Sequence, residues 1–177
     1  MGNHKERLIL EWYEQYGTEL FRFVWIMLGT KEGCDDIVHD TFLKAWSAID
    51  RFEEKSSVKT WLFAIAKHKV LDEIRRQKRR GIFLRRLAES YIPSGLDVQK
   101  IVELKEEAKE LMKQIQELKP NYRIVIILSK VEECTSKEIA EILGWSEAKV
   151  RKTLSRAIQM LRKEKRMKGG DGIERSI

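Results

Sequence analysis

One twenty-residue stretch constrains this chain more than any other. Residues 136–155 read SKEIAEILGWSEAKVRKTLS. Thr135 stands where a helix N-cap belongs, and Glu138 follows three residues later, which is a capping-box pattern. Ile139, Ala140 and Leu143 fall on one face of the short helix this predicts. Gly144 ends it, because the left-handed position after a helix is tolerated best by glycine. Ser146 can cap a second helix. There Val150, Leu154, Ala157, Ile158 and Leu161 recur at i, i+4, i+7, i+8 and i+11, so one face is buried. The opposite face carries Lys149, Lys152, Ser155, Arg156 and Gln159, with Arg151 on its flank. Ala140 is small where the two helices must cross, and Val150 fills the angle between them. This is the layout of a helix-turn-helix. A second helix that is apolar behind and basic in front suits a DNA major groove.

Charge points the same way. The chain has 177 residues and a formal net charge of +7. The excess is clustered. One basic block spans residues 67–86 and includes Lys69, Arg75, Arg76, Lys78, Arg79, Arg80 and Arg85; another spans residues 149–168. Two basic clusters far apart in sequence suggest two contacts with a polyanion.

The rest of the chain reads as all-α, in two small helical domains joined by a linker. Pro93 and Pro120 are the sole prolines, and no stretch alternates as a strand would. Helices are expected over residues 5–28, with a break possible near Gly17, over 35–49 and over 58–80. Val38, Phe42, Ala45, Trp46 and Ile49 line the inner face of the second, and Leu62, Ile65, Ala66, Val70 and Ile74 that of the third. These make a first domain over residues 1–80, near the lower comfortable size for an independent core. Residues 81–103 read as a linker, from Gly81, Pro93, Ser94 and Gly95. A second domain follows over residues 104–168. Leu104, Ala108, Leu111, Met112, Ile115 and Leu118 resume the helical period, Pro120 starts a helix where a missing N–H is harmless, and the run IVIILSK is its buried centre. Residues 169–177 are expected to be a mobile tail.

Several classes of function fit poorly. Cys34 and Cys134 match no metal-binding spacing and read as free thiols of a reducing compartment. No metal set, Gly-rich phosphate loop, acid pair or nucleophile triad stands out, so neither a cofactor nor an enzyme is expected. The charged N-terminal segment lacks a signal-peptide pattern, and the run LFRFVWIMLG is too short for a bilayer. A cytoplasmic protein is expected.

Two longer stretches carry a resemblance. DDIVHDTFLKAWSAIDRFEEKSSVKTWLFAIAKHKVLDEIRRQKRR resembles region 2 of the extracytoplasmic-function sigma factors of bacterial RNA polymerase. ELKPNYRIVIILSKVEECTSKEIAEILGWSEAKVRKTLSRAIQMLRKE resembles region 4 of the same family. The two cover most of the chain, in the family's order and separation.

The resemblance implies a promoter-specificity subunit without a catalytic site. By position, Asp36, His39, Asp40, Thr41, Leu43 and Lys44 would meet the clamp of the largest polymerase subunit. The family often has glutamine where this chain has His39. The loop FEEKSSVK matches a family loop that captures an extruded base of the proximal promoter element, with hydrogen bonds from Lys55, Ser56 and Ser57. Flipping a base costs a few kcal/mol, which a shaped polar pocket must offset. Lys59, at the end of that loop, would also meet the proximal element, Lys67, His68, Arg75, Arg76 and Arg79 would hold phosphates, and Trp61 would either stack on a base or belong to the core. Arg151, Lys152, Ser155 and Arg156 would read the distal element, and Lys149 its backbone. Trp145 would pack on the turn or touch a sugar. The second domain would also meet the polymerase flap, and an anti-sigma factor, possibly membrane-bound, is an implied partner. Two other readings stay open on the residues: a simple helix-turn-helix regulator, which would leave the first domain without a role, and a sigma-like interaction protein, against which the intact basic faces argue.

Overall fold

The computed structural model describes residues 2–53, 55–79 and 106–169. The expected linker at 81–103, the tail beyond Gly169, and Arg80, Arg85 and Glu54 lie outside the described residues.

The described residues are helical throughout their ordered elements and contain no strand. The first unit holds three helices, α1 (Gly2–Leu28), α2 (Cys34–Ala48) and α3 (Val58–Arg79). α1 runs unbroken through Gly17, where a break was conceivable. The reason is the apolar stripe beyond it: Leu20, Phe23, Val24 and Met27 are all essentially sealed from solvent. Burying a side chain of this size stabilises by about 1.5–3 kcal/mol, which outweighs one glycine's cost of about 1 kcal/mol. α1 packs on both α2 and α3, and the rings of Phe23 and Phe63 meet at 5.2 Å.

The second unit holds α4 (Glu106–Glu117), α5 (Pro120–Ile126), α6 (Ser136–Leu143) and α7 (Glu147–Gly169). α5 begins with Pro120 in its first turn and is buried at Arg123, Ile124, Val125 and Ile126. Both α5 and α6 lie against α7, so the expected buried centre is present. α5 continues into one π-helical stretch, Ile127–Val131. There the Glu132 amide donates to the Ile127 carbonyl at 3.0 Å and the Cys134 amide to the Leu128 carbonyl at 2.8 Å. The wider turn swings the chain out of helix, Glu133 takes a left-handed φ of 55°, and Glu132 turns inward.

The two units pack on each other. α3 lies against α6, and α1 against α4, α5 and the π-helical stretch. A single contiguous cluster of buried apolar residues extends from Leu20 in α1 to Ala157 in α7. Sequence periodicity marks each helix's inner face but does not say that the two faces share a core.

Both thiols are buried. The Cys34 thiol donates to the Thr30 carbonyl at 3.0 Å, and burial pushes its pKa up to about 12. Burial likewise pushes Cys134 up to about 11.

Candidate nucleic-acid interface

The helix-turn-helix is built by three local devices. Thr135 and Glu138 close a reciprocal capping box, with the Glu138 amide donating to the Thr135 hydroxyl at 3.2 Å and the Thr135 amide to the Glu138 carboxylate at 2.7 Å. These bonds, the backbone one foremost, hold the Glu138 carboxyl below the usual carboxylate range. Gly144 then sits at φ 66° and ψ 36°, a region L side chains enter at a cost of about 1–2 kcal/mol. Finally Ser146 caps α7, its hydroxyl accepting from the Lys149 amide at 3.2 Å.

These devices set α7 with Val150 and Ala157 fully buried and Leu154, Ile158 and Leu161 packed against the core. Lys149, Arg151, Lys152, Ser155, Arg156 and Gln159 are all exposed. Helical geometry puts Lys152 near the middle of that open face and Arg151 at its edge. Arg151 is braced there by Glu147 at 3.0 Å. The Lys149 ammonium stands 4.0 Å from the Trp145 ring centroid. Trp145 therefore packs in the turn and positions a lysine through its π face. α7 thus presents two arginines, two lysines and two neutral hydrogen-bonding side chains along one solvent-facing strip.

α3 is the second basic element. Its exposed side carries His68, Arg75 and Arg79 in one line, at i, i+7 and i+11. Arg75 pairs with Asp72 at 2.5 Å and Arg76 with Glu73 at 2.5 Å, each one turn apart. Exposed pairs of this kind are worth little and exchange readily for a phosphate. Burial, with Lys67 and Arg75 nearby, holds the His68 pKa below the ordinary imidazole value. His68 is therefore a neutral hydrogen-bonding group at pH 7, not a cation.

Two expected contacts with the proximal element lie on the wrong side of α3. Lys67 is 9% exposed, and desolvation lowers its pKa. Lys59 reaches into the second unit: its ammonium donates to the Glu132 carbonyl at 3.1 Å and pairs with Glu19 at 2.8 Å. In this arrangement neither is free to meet DNA. Lys59 sits about half a helical turn away from the His68–Arg79 line and Lys67 about 100° away, and lysine count alone does not reveal facing.

The loop before α3 is also partly committed. The Ser57 hydroxyl accepts from the Thr60 amide at 3.1 Å and donates to the Thr60 hydroxyl at 2.9 Å. Ser57 is thus the cap of α3, with little hydrogen-bonding capacity left for a base. Lys55 pairs with Glu53 on the surface, and Ser56 is half-buried. Trp61 stacks on Phe52 at 4.7 Å and meets Trp12 edge-on at 6.0 Å. This aromatic trio makes Trp61 a packing residue.

α2 shows a distinct exposed strip. Asp36, His39, Asp40, Leu43 and Lys44 share its open side, and Lys69 of α3 pairs with Asp40 at 2.9 Å. Thr41 does not belong with them. It is fully buried and its hydroxyl donates to the Ile37 carbonyl at 2.7 Å. Trp46, expected in the core, is 37% exposed and flanks Leu43, which is 55% exposed. A tryptophan and a leucine side by side in water mark a surface suited to a partner.

Comparisons with known proteins agree with this arrangement of parts. Residues 12–80 match the family model for sigma-70 region 2, and residues 108–161 that for sigma-70 region 4. RNA polymerase sigma factor YlaC of Bacillus subtilis (strain 168) is 32% identical over 152 residues, covering 85% of this chain and 88% of that protein. ECF RNA polymerase sigma factor SigM of the same organism is 30% identical, covering 86% and 91%. Among solved structures, the sigma factor RpoE in complex with the anti-sigma factor NepR, from Bartonella quintana, shares the fold with a TM-score of 0.64 at 23% identity, covering 92% of this chain and 96% of that one.

Proposed function

The chain belongs to the extracytoplasmic-function (ECF) sigma factors of RNA polymerase, and from that membership we propose how its two units divide the work. It is a sigma factor that directs the polymerase to promoters and serves transcription initiation. The distal promoter element is read by α7. Arg151 and Arg156 make base contacts, since a guanidinium can bridge guanine O6 and N7 with two hydrogen bonds. Lys152 and Ser155 support them, and Lys149, held by Trp145, anchors backbone phosphate.

The proximal element is engaged by the loop before α3 and by the open line of that helix. Ser56 and Lys55 serve an extruded base, while Arg75, Arg76 and Arg79 hold phosphates and His68 donates as a neutral group. The strip Asp36, His39, Asp40, Leu43 and Lys44, extended by Trp46, docks on core polymerase at the largest-subunit clamp, and the second unit meets the flap. The protein acts by binding alone, in the cytoplasm where polymerase works. No helix among the described residues is long and apolar enough to cross a membrane. An anti-sigma factor is its proposed antagonist, in keeping with the partner of the similar RpoE and with the cytosolic domain of CnrY bound to the similar CnrH.

The observation that carries this reading is the exposed basic strip of α7 on a fully formed helix-turn-helix. Transcription by core polymerase plus this chain, from a library randomised in the distal element, tests it. Arg151→Ala and Arg156→Ala are each expected to lose discrimination at discrete base pairs, by about 1–3 kcal/mol. Lys149→Ala is expected to lower output evenly across sequences. An unaltered preferred sequence in both arginine variants would refute base reading by those residues.

A further inference from the structure

The loop before α3 is held at both ends by one face of α1. Lys5, Ile9, Trp12 and Tyr16 recur at i, i+4, i+7 and i+11 and are all half-buried, whereas Leu10, Tyr13 and Gln15 between them are exposed. That spacing places the four on one side of the helix. At the entry to the loop the chain leaves α2 through a tight turn, Ile49–Arg51, closed by the Phe52 amide donating to the Ile49 carbonyl at 3.1 Å. The Lys5 ammonium pairs with the Asp50 carboxylate in that turn. At the exit Trp61 lies in the first turn of α3, its amide donating to the Ser57 carbonyl at 3.0 Å. Phe52 and Trp61 thus flank the loop, and their rings stack at 4.7 Å with 29° between the planes. Trp12 meets both edge-on, each at 6.0 Å between centroids. Three rings from three segments therefore close the loop at its base.

We propose that Trp12, assisted by Lys5, is a positioning residue for capture of the extruded base: it pins both ends of the loop, so that Lys55 and Ser56 stand in place before DNA arrives. The proposal rests on the reading above, in which that loop receives a base of the proximal element. Trp12 acts through Phe52 and Trp61 and needs no contact with DNA. An unbraced loop samples many conformations, and ordering it on binding costs entropy at the moment when a base must also leave its stack. Fixing the ends during folding completes that ordering beforehand, and the polar groups then meet the base in one geometry. The Phe52–Trp61 stack sets the distance between the loop's ends. The two edge-on contacts set the orientation of that stack relative to α1, and so relative to the body of the first unit. Rings favour this arrangement because a positive edge meets a negative face. An aliphatic side chain could fill the space but could not orient two rings. The Lys5–Asp50 pair lies at the surface and adds little stability; it steers the turn from which Phe52 departs.

The test uses the full chain bound to core polymerase. Transcription from libraries randomised in the proximal or the distal element reports discrimination at each. 2-Aminopurine placed in the non-template strand of the proximal element brightens when its base leaves the stack. Trp12→Leu is expected to lower proximal discrimination and the fluorescence gain by about tenfold, the worth of two edge-on ring contacts. Distal discrimination and affinity for core polymerase should not change. Trp12→Phe, which keeps a ring, should restore most of the loss. Lys5→Ala and Asp50→Asn should move the proximal readouts the same way by about twofold. A folded Trp12→Leu chain with wild-type proximal discrimination would overturn the proposal. So would an equal loss in proximal discrimination, distal discrimination and core affinity, which would mark Trp12 as packing alone. If Trp12→Leu does not fold, as judged by circular dichroism, the two surface variants decide, and unchanged proximal readouts in both overturn the positioning role. The wild type separates the two claims. Proximal preference in the wild type, retained by its folded variants, disproves the positioning role only. A wild type with no proximal preference disproves base capture by the loop and the positioning role with it.

Discussion

Arg123 is the residue whose role is least expected from its surroundings in the chain. It sits in the run RIVIIL, yet its side chain is 1% exposed. Its guanidinium donates to the carbonyls of Met27 at 2.6 Å and Leu118 at 3.1 Å and also to that of Gln116. Burial lowers its pKa to about 10, so the group stays charged at neutral pH. A planar fork with several donors can serve three carbonyls from two segments at once, which an ammonium cannot match in geometry. Arg123→Ala should therefore destabilise the fold by about 3 kcal/mol or more, because several buried carbonyls lose their donor. Arg123→Lys should fall between the two. Urea melts of the three chains check this, and a shift of less than about 0.5 kcal/mol for the alanine variant would remove Arg123 from the core. The sequence clue was the lone charge within an apolar run, which periodicity treats as noise. Thr41 and Trp46 exchanged places relative to expectation for a related reason. Hydrophobicity ranks tryptophan as core and threonine as surface, whereas the angular position on α2 decides which one faces α1 and α3.

At the scale of elements, local chemistry was legible. The capping box, the glycine stop and the basic face of α7 all follow from residue type at fixed spacing, and all three are present. Their energetics can be tested through Glu138, whose folded-state pKa is depressed. A depressed acid contributes stability that is present above its unfolded pKa and lost as pH falls through the folded one. Glu138→Ala should thus cost about 0.3–1.5 kcal/mol at pH 7. The gap between variant and wild type should narrow as pH drops below the ordinary value of 4.5. Thermal melts between pH 3 and pH 7 measure it, and a gap independent of pH would mean that the carboxylate's charge plays no part in the cap. The π-helical stretch after α5 was not legible. Nothing in ILSKV distinguishes a five-residue turn from a four-residue one, because the choice is settled by what Glu132 meets once it turns inward. Nor did the loop before α3 disclose that Ser57 is a cap, since a serine there fits a helix start and a base contact equally well.

For the whole molecule, the distribution of charge predicts how binding answers to salt. Each phosphate neutralised on duplex DNA contributes a log–log slope of about −0.9. In the holoenzyme, Arg79→Ala should make the slope for promoter binding less negative by about that amount. In the free chain, Lys59→Ala should leave the slope unchanged, because Lys59 is engaged with Glu132 and Glu19. Filter-binding titrations over a range of salt distinguish these outcomes, and a free-chain slope that depends on Lys59 would show it already at the DNA. The sequence by itself determined the main helices, the caps of α6 and α7, the helix-turn-helix, the basic strip on α7 and the family, because each depends on neighbours within a turn or two or on motifs read in order. Tertiary structure alone decided that two expected domains share one core, that Lys59 and Lys67 face inward, and that Glu132 is clasped by Arg22 from 110 residues away. Those outcomes depend on which faces meet in space, and no spacing along the chain encodes that.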